Sequence, residues 1–435
     1  MKLWPFRTKQ AAPAAGTKSA SFLFGPGALK LMQHNYDVFA SEGYGLNAVV
    51  HACIDKIATA ITCVDIQAYT QDKEGKLKEK PNHPILQLLN KPNPMMTGKE
   101  FRAALVSYYL ISGNAYVNGV GIDPALRAPK APKELYLLKP GCVSVVKSNG
   151  MLPLAYEYRL ADGSKIVYPV NNLTGISAIM HKKTFNPLDQ WVGLSPMTAA
   201  AYGIDIINEG DKWNLRLLQN EGRPSGALIV KGADGQSQTL SPEQYNRLKE
   251  QMDQQFTGSA NAGRPLLLEG GLDWKEMSMN AKDMDHEKSM NKAARNIALT
   301  YGVPPMLLGI PGDNTFSNMA EARLAMWTDT VLPLLQSVLE SLNNWLAPMY
   351  DDEIILWYDE EMIPALEPLR KEMFARLQSA SFLTDNEKRN AAGYEDEEGG
   401  DTLFIDSGKV PLELAGQMDL AEPGSQINQA QNSAS

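Results

Sequence analysis

The stretch from Ser195 to Pro224, SPMTAAAYGIDIINEGDKWNLRLLQNEGRP, limits the possible folds more than any other part of the chain. It opens with serine at an N-cap and proline at the first helical position, and it stops at EGRP. Met197, Ala200, Ile204, Ile207, Leu215 and Leu218 recur at helical spacing along one side. The span is about 25 residues, or ~38 Å at the usual rise, which is long for a helix inside a globular domain. A second helical pattern runs from about Ala281 to Tyr301, where Gly302 and Pro304 end it. Between the two lie a strand (SGALIVKG), a helix (SPEQYNRLKEQMDQQF) and two more strands (RPLLLEGG and DWKEMSM). Ser241 and Gln244 form a capping box for that inner helix, and Tyr245, Leu248, Met252 and Phe256 give it an apolar face. Two long helices bracketing a small βαββ insert describe a stalk with a knob at its tip.

The part before the stalk reads as a mixed α+β domain. From Leu46 to Val64 the positions Val49, Val50, Cys53, Ile57 and Ile61 mark a helix, and Cys53 and Cys63 on it read as core residues rather than zinc ligands. A second helix carries Phe101, Ala104, Leu105 and Tyr108 on one face and is closed by Gly113. The segments ELYLLKP, CVSVVK and LAYEYRL follow as strands. Residues 1–29, rich in Ala, Ser, Gly, Lys and Pro, read as a flexible arm, and the polar residues 408–435 as a disordered tail.

Between the second stalk helix and the next helix sits YGVPPMLLGIPGDNTFSN, Tyr301 to Asn318. It contains no lysine or arginine, and Asp313 would repel an anion, so it cannot cradle phosphate. Gly309 and Gly312 suggest backbone freedom. Asn318 and Glu321 then signal the start of another long helix, in which Pro333 is expected to produce a kink. A strand follows near EIILWYD. Beyond Glu361 come shorter helices, one of them opened by a Thr384/Glu387 capping box, and then the acidic run EDEEGGD.

Signals for chemistry are scarce. The chain has no Gly-Lys followed by Ser or Thr, no Gly-x-Ser-x-Gly and no His-Glu-x-x-His. Its five histidines are scattered. His286 lies among Asp283, Asp285 and Glu287, which reads better as an exposed mixed-charge helix face than as a metal site. The carboxylates Asp351 to Glu353 and Asp359 to Glu361 could serve a metal-dependent nuclease, but they flank the strand IILW as ordinary solvated turn residues would. No catalytic, metal or cofactor site is therefore expected. A net charge of −9 opposes tight holding of nucleic acid, although it does not oppose letting nucleic acid pass. No run of about 18 apolar residues suggests a membrane span.

Several short stretches, in order, resemble the portal proteins of tailed bacteriophages, specifically the compact portal family of long-tailed phages. They are HPILQLLNKPNP with FRAALVSYYLISGNAYV, GLSPMTAA, NEGRPSGALIV, LLLEGGLDWKEMSM, IALTYGVPPMLLG with TFSNMAEA, and FLTDNEKRNAAGYE with GGD, spanning about Asn82 to Asp401. The resemblance implies an elongated α+β subunit assembled as a ring, typically of twelve copies, at one capsid vertex. Double-stranded DNA would be packaged and ejected through its channel. It implies a wing (30–195), stem helices (196–226 and 280–308) and a βαββ clip (227–279). A tunnel loop (309–318), a long kinked helix with a wing-completing strand (319–360) and a small helical crown (361–407) complete the subunit. Gly312, Asp313, Asn314, Thr315 and Phe316 would form the channel-facing tip, and Arg223, Arg247 and Lys249 would be candidate clip charges facing the packaging motor. The implied partners are the large terminase subunit, the major capsid protein and a head-completion or adaptor protein, in a virion assembled in the bacterial cytoplasm. The rival readings are the nuclease and another minor capsid or adaptor protein.

Overall fold

The computed structural model describes residues 35–71, 77–126, 129–219, 226–230, 241–244, 246–247, 250, 272–276, 286–312, 316–350 and 353–403. The chain divides into two compact units, with the boundary after Tyr358. The sequence readings for the arm at 1–29, the tail at 408–435 and the strand RPLLLEGG lie outside the described residues.

The first unit opens with α1 (Tyr36–Val38), which runs on as a π-helical turn, Phe39–Gly45, into α2 (Ala48–Thr62). Asn47 caps α2 by accepting from the Val49 and Val50 amides at 3.2 and 3.1 Å. Val50, Cys53, Ile57 and Ile61 are buried as the spacing requires, and burial pushes the Cys53 thiol up to about 12. Cys63 departs from the core reading: it is the C-cap of α2, where the helix surfaces, and it is exposed.

After β1 (Ile66–Gln71) and β2 (Leu77–Glu79) come α3 (Pro84–Asn90) and α4 (Gly98–Ser112). Thr97 and Glu100 make a reciprocal capping box at the start of α4, and Gly113, at φ 73°, closes it. The buried face of α4 runs through Phe101, Leu105, Val106, Leu110 and Ile111, while Ala104 and Tyr108, expected on that face, are only half-buried.

Two three-stranded antiparallel sheets follow. β3 (Asn114–Val120) lies between β4 (Glu134–Leu138) and β8 (Ile179–Lys183), and β6 (Ala155–Arg159) lies between β5 (Val143–Val146) and β7 (Lys165–Pro169). Tyr116, Leu138, Tyr156, Val170 and Ile179 form a core where the two meet. His181 stacks on Tyr116 with ring centroids 4.3 Å apart and meets Tyr156 edge-on at 5.7 Å.

The long helix α5 (Pro196–Gln219) leaves this body, and β9 (Gly226–Val230) pairs antiparallel with β10 (Leu272–Glu276) beyond it. Ser241 and Gln244 make the expected capping bonds, at 3.0 and 3.3 Å. α6 (His286–Thr300) returns alongside α5. After the loop, α7 (Phe316–Ala325) starts two residues before the Asn318 signal. It passes through a π-helical turn, Met326–Val331, into α8 (Leu332–Leu346). The kink expected at Pro333 takes this form: the widened turn ends where proline has no N–H to give and would crowd a regular preceding turn.

α8 packs its buried leucines on the body. Lys182 of β8, only 8 % exposed, donates to the Ser337 carbonyl at 2.8 Å and to its hydroxyl, with Tyr109 below its ammonium. β11 (Ile354–Tyr358) then pairs antiparallel with β1, Ile66 opposite Tyr358.

The second unit contains α9 (Glu367–Ser379) and α10 (Asp385–Ala391). The predicted Thr384/Glu387 box caps α10. The acidic run is organised rather than merely solvated. Buried Asn386 donates to the Glu397 carbonyl at 3.1 Å and to Asp401 at 2.9 Å, and accepts from the Glu397 amide at 2.9 Å.

Candidate functional site: the stem and its loop

Three devices hold the base of α5. Ser195 accepts from the Met197 amide at 3.1 Å and donates to the Ile111 carbonyl of α4 at 2.6 Å. Asn114 binds the approach to this turn, accepting from the Gly193 amide at 2.6 Å. Further along, the buried Asn47 donates to Asn208 at 3.0 Å, and Asn208 donates to the Glu42 carbonyl at 2.9 Å. Glycines let α6 come close: a Cβ at Gly203 would stand 3.3 Å from the Ala293 carbonyl, and one at Gly210 would stand 3.3 Å from the Met290 sulfur. Met197, Ala200, Ile204 and Ile207 are buried as expected, but Leu215 is 55 % exposed because the contact with the body ends before it; the side chain of Leu218 lies outside the described residues.

The loop leaves α6 through a left-handed closure. Gly302, at φ 66°, donates to the Leu299 carbonyl at 3.1 Å, and the Val303 amide donates to the Ala298 carbonyl at 2.9 Å. Thr330, in the π-helical turn, donates to the Gly302 carbonyl at 2.7 Å, and a Cβ at Gly302 would fall 2.5 Å from that hydroxyl. Tyr301 and Val303 are buried, and burial pushes the Tyr301 phenol above its ordinary range. The chain then makes a 3-10 turn, Pro305–Leu308, closed by Gly309 at φ 72° with open space around it.

At Gly312 the structure differs from the expectation of freedom. Arg295 of α6 donates from its guanidinium to the Pro311 carbonyl, and a Cβ at Gly312 would collide with that guanidinium. Glycine leaves room for this approach, and a Cβ there would make the guanidinium shift. A loop with no cation of its own in sequence thus receives one in space. Arg295 carried no motif; the signal that could have found it is the recurrence of Lys288, Lys292 and Arg295 along one side of α6.

Of the predicted tip, Gly312 sits at this clamp and Phe316 opens α7; Asp313, Asn314 and Thr315 lie outside the described residues. Of the clip charges, Arg247 is helical and exposed, while Arg223 and Lys249 lie outside the described residues. Among the described residues no group of three His, Cys, Asp or Glu side chains could hold a metal ion, and no helix is long and apolar enough to cross a membrane.

A model of the phage portal protein family matches residues 48–393, and the chain belongs to that family. It is a portal protein of phage-like particles, structural and non-enzymatic. An uncharacterised protein of Rickettsia bellii (strain RML369-C) is 42% identical over 362 residues, 83% of this chain and 90% of that protein. The portal protein of Enterobacteria phage HK97 is 24% identical over 314 residues, 70% of this chain and 68% of the phage protein. Among solved structures, a chain in the neck of a native gene transfer agent particle, computed with C12 symmetry, is 38% identical with a TM-score of 0.63, covering 83% of this chain and 94% of that chain.

Proposed function

We propose that this chain forms the ring-shaped channel at the unique vertex of a phage-like particle, through which double-stranded DNA is packaged and ejected. The observation that carries the reading is the likeness, over nearly the whole of that chain, to a protein in a particle neck with twelvefold symmetry. The antiparallel pair α5 and α6, with β9 and β10 beyond it, supports the assignment of stem and clip. The body before Ser195 corresponds to the wing and the second unit to the crown. Identities of 38% to 40% to gene transfer agent necks favour a gene transfer agent over a phage as the particle, and the channel role is the same in both.

Gly312 to Phe316 form the tunnel-loop tip in this reading. An anchored base with a short acidic tip touches a moving duplex without gripping it, since each added lysine–phosphate contact would add salt-sensitive drag. The chain has no phosphate-binding nucleotide motif, so a separate large terminase subunit supplies the motor and docks on the clip near Arg223, Arg247 and Lys249. A major capsid protein and a head-completion or adaptor protein surround the ring.

Native mass spectrometry of the purified protein, with negative-stain images, tests the reading. The expected result is a closed ring of about a dozen copies with a central hole. A monomer that cuts DNA when divalent metal is added would overturn it. Replacing both Asp313 and Asn314 with lysine should impair DNA transfer; unaltered packaging and ejection by that variant would remove the loop from the mechanism.

A further inference from the structure

Two side-chain stripes on the stem helices face away from the contact that joins them. On α6 the residues beside the α5 glycines are Met290, Ala293 and Ile297. Lys288, Lys292, Arg295 and Leu299, spaced i, i+4, i+7 and i+11, share the opposite face; all four are exposed, Leu299 at 78 %. On α5, Gly203 and Gly210 lie on the side that meets α6. Asp205, Glu209, Lys212 and Arg216 repeat the same spacing on the side turned away, flanked by Tyr202, which is 69 % exposed. One stripe begins apolar and continues basic. The other begins aromatic and acidic at the same end of the stem.

We infer that the Lys292–Arg295–Leu299 face of α6 packs against the Tyr202–Asp205–Glu209 face of α5 in a second copy of this chain, so that the two helices alternate around the ring. The inference rests on the ring reading and adds the faces and their register. A ring requires a heterologous contact, in which one surface meets a different surface of the next copy. Opposite faces of a two-helix stem meet that requirement. Rotation about a ring axis keeps every residue at its own height, so heights within one stem carry over to the neighbour. Within the stem Gly203 stands opposite Ala293 and Ile297, and Gly210 opposite Met290. Arg295 is therefore level with the stretch from Tyr202 to Asp205 of the neighbour, and Lys292 lies between the heights of Asp205 and Glu209. Cations meet carboxylates, and Arg295 reaches an aromatic ring. Lys212, towards the tip, is already held by Glu209 at 2.8 Å.

The test pairs Lys292→Cys with Glu209→Cys in a full-length chain whose exposed Cys63 is replaced by serine. Lys292 faces away from its own α5, so a disulfide between the two positions must join different copies. Mild oxidation should give the double variant a ladder of covalent multimers extending past the dimer, and neither single variant should give one. As a second reading, K292E and E209K should each raise the protein concentration needed for half assembly by about tenfold, and the two changes combined should restore it. Rings without a ladder and without rescue would overturn the pairing while leaving the ring intact. Dimers from Lys292→Cys alone would show a symmetric contact and overturn it too. Unchanged assembly of K292E with weakened double-stranded DNA retention would place the basic stripe on the duplex instead. Failure of the parent chain to form any oligomer would sink the ring reading itself, and this inference with it.

Discussion

His181 should make the core between the two three-stranded sheets acid-sensitive well above the range where carboxylates titrate. Its Nε2 lies 3.0 Å from Asn114 Oδ1, which also accepts from the Gly193 amide at 2.6 Å. The Asn114 amide nitrogen is spent on the Ser112 and Gly193 carbonyls, so Oδ1 is the acceptor and Nε2 carries the proton of a neutral imidazole. Burial first, and the Lys183 charge second, lower the His181 pKa from 6.5 to about 3. A lowered histidine pKa means the unfolded chain binds the proton more readily. Stability is therefore full above pH 6.5 and is lost as pH falls from there towards 3. Between pH 6.5 and 5.0 the loss is ~1.6 kcal/mol, and this figure needs only a folded-state pKa below about 4.5. His181 is half-buried, and the chosen window makes the outcome insensitive to how far below that limit the group lies.

Hydrogen exchange of peptides covering Asn114–Val120 and Ile179–Lys183 reads this locally, corrected for the intrinsic pH dependence of exchange. Protection should fall about 16-fold from pH 6.5 to 5.0 in the wild-type protein. In His181→Gln, which keeps a neutral donor, protection should be lower throughout but nearly flat across the window. An equal slope in the variant would assign the effect to other groups, and no slope in the wild type would refute the reasoning outright.

Other consequences can be checked separately. Gly302→Ala places a Cβ at positive φ and within 2.5 Å of the Thr330 hydroxyl, and should cost about 2 kcal/mol, read as a lower unfolding temperature. Arg295→Gln loses the charged donor to the Pro311 carbonyl, so exchange at residues 306–312 should quicken by about tenfold while peptides from α2 stay unchanged. Asn208→Leu leaves the buried Asn47 side chain short of a partner and should destabilise the base of α5 by ~1–2 kcal/mol, seen as faster exchange along α5.

The long helix α5 was legible because an amphipathic helix writes its contacts at a fixed period. Met197, Ala200, Ile204 and Ile207 follow that period into the core, the Ser195 signal marks its start, and the Gly302 signal marks the end of α6. Local capping chemistry was equally readable at Ser241, Thr384 and Gly113, since each such bond joins residues within a few positions of one another. Contacts across the chain were not. The pairing of β1 with β11 brings Ile66 to Tyr358, and nothing in either strand names the other. Asn47 and Asn208 look like ordinary polar residues on two helices until the fold places them 3.0 Å apart.

The loop shows why composition alone misleads about such a site. Read as a string, Gly309 to Asn318 has no cation and two glycines, which implies a free segment whose one charge is that of Asp313. In the fold the glycines do different work. Gly309 supplies a left-handed turn in open space, whereas Gly312 leaves room beside the guanidinium that donates from the preceding helix to the Pro311 carbonyl. The same guanidinium belongs to the stripe proposed to join neighbouring stems, so a displacement at one loop would be felt at the next α5. Loops on a ring coupled in this way would respond together to a passing duplex. Asp205→Asn should separate the two roles, because it removes the proposed ion pair with the neighbour's Arg295 and leaves the donation from Arg295 to the Pro311 carbonyl in place. Retained ring assembly with independent loop exchange would favour the clamp as the main task of Arg295, and loss of assembly would favour the stripe.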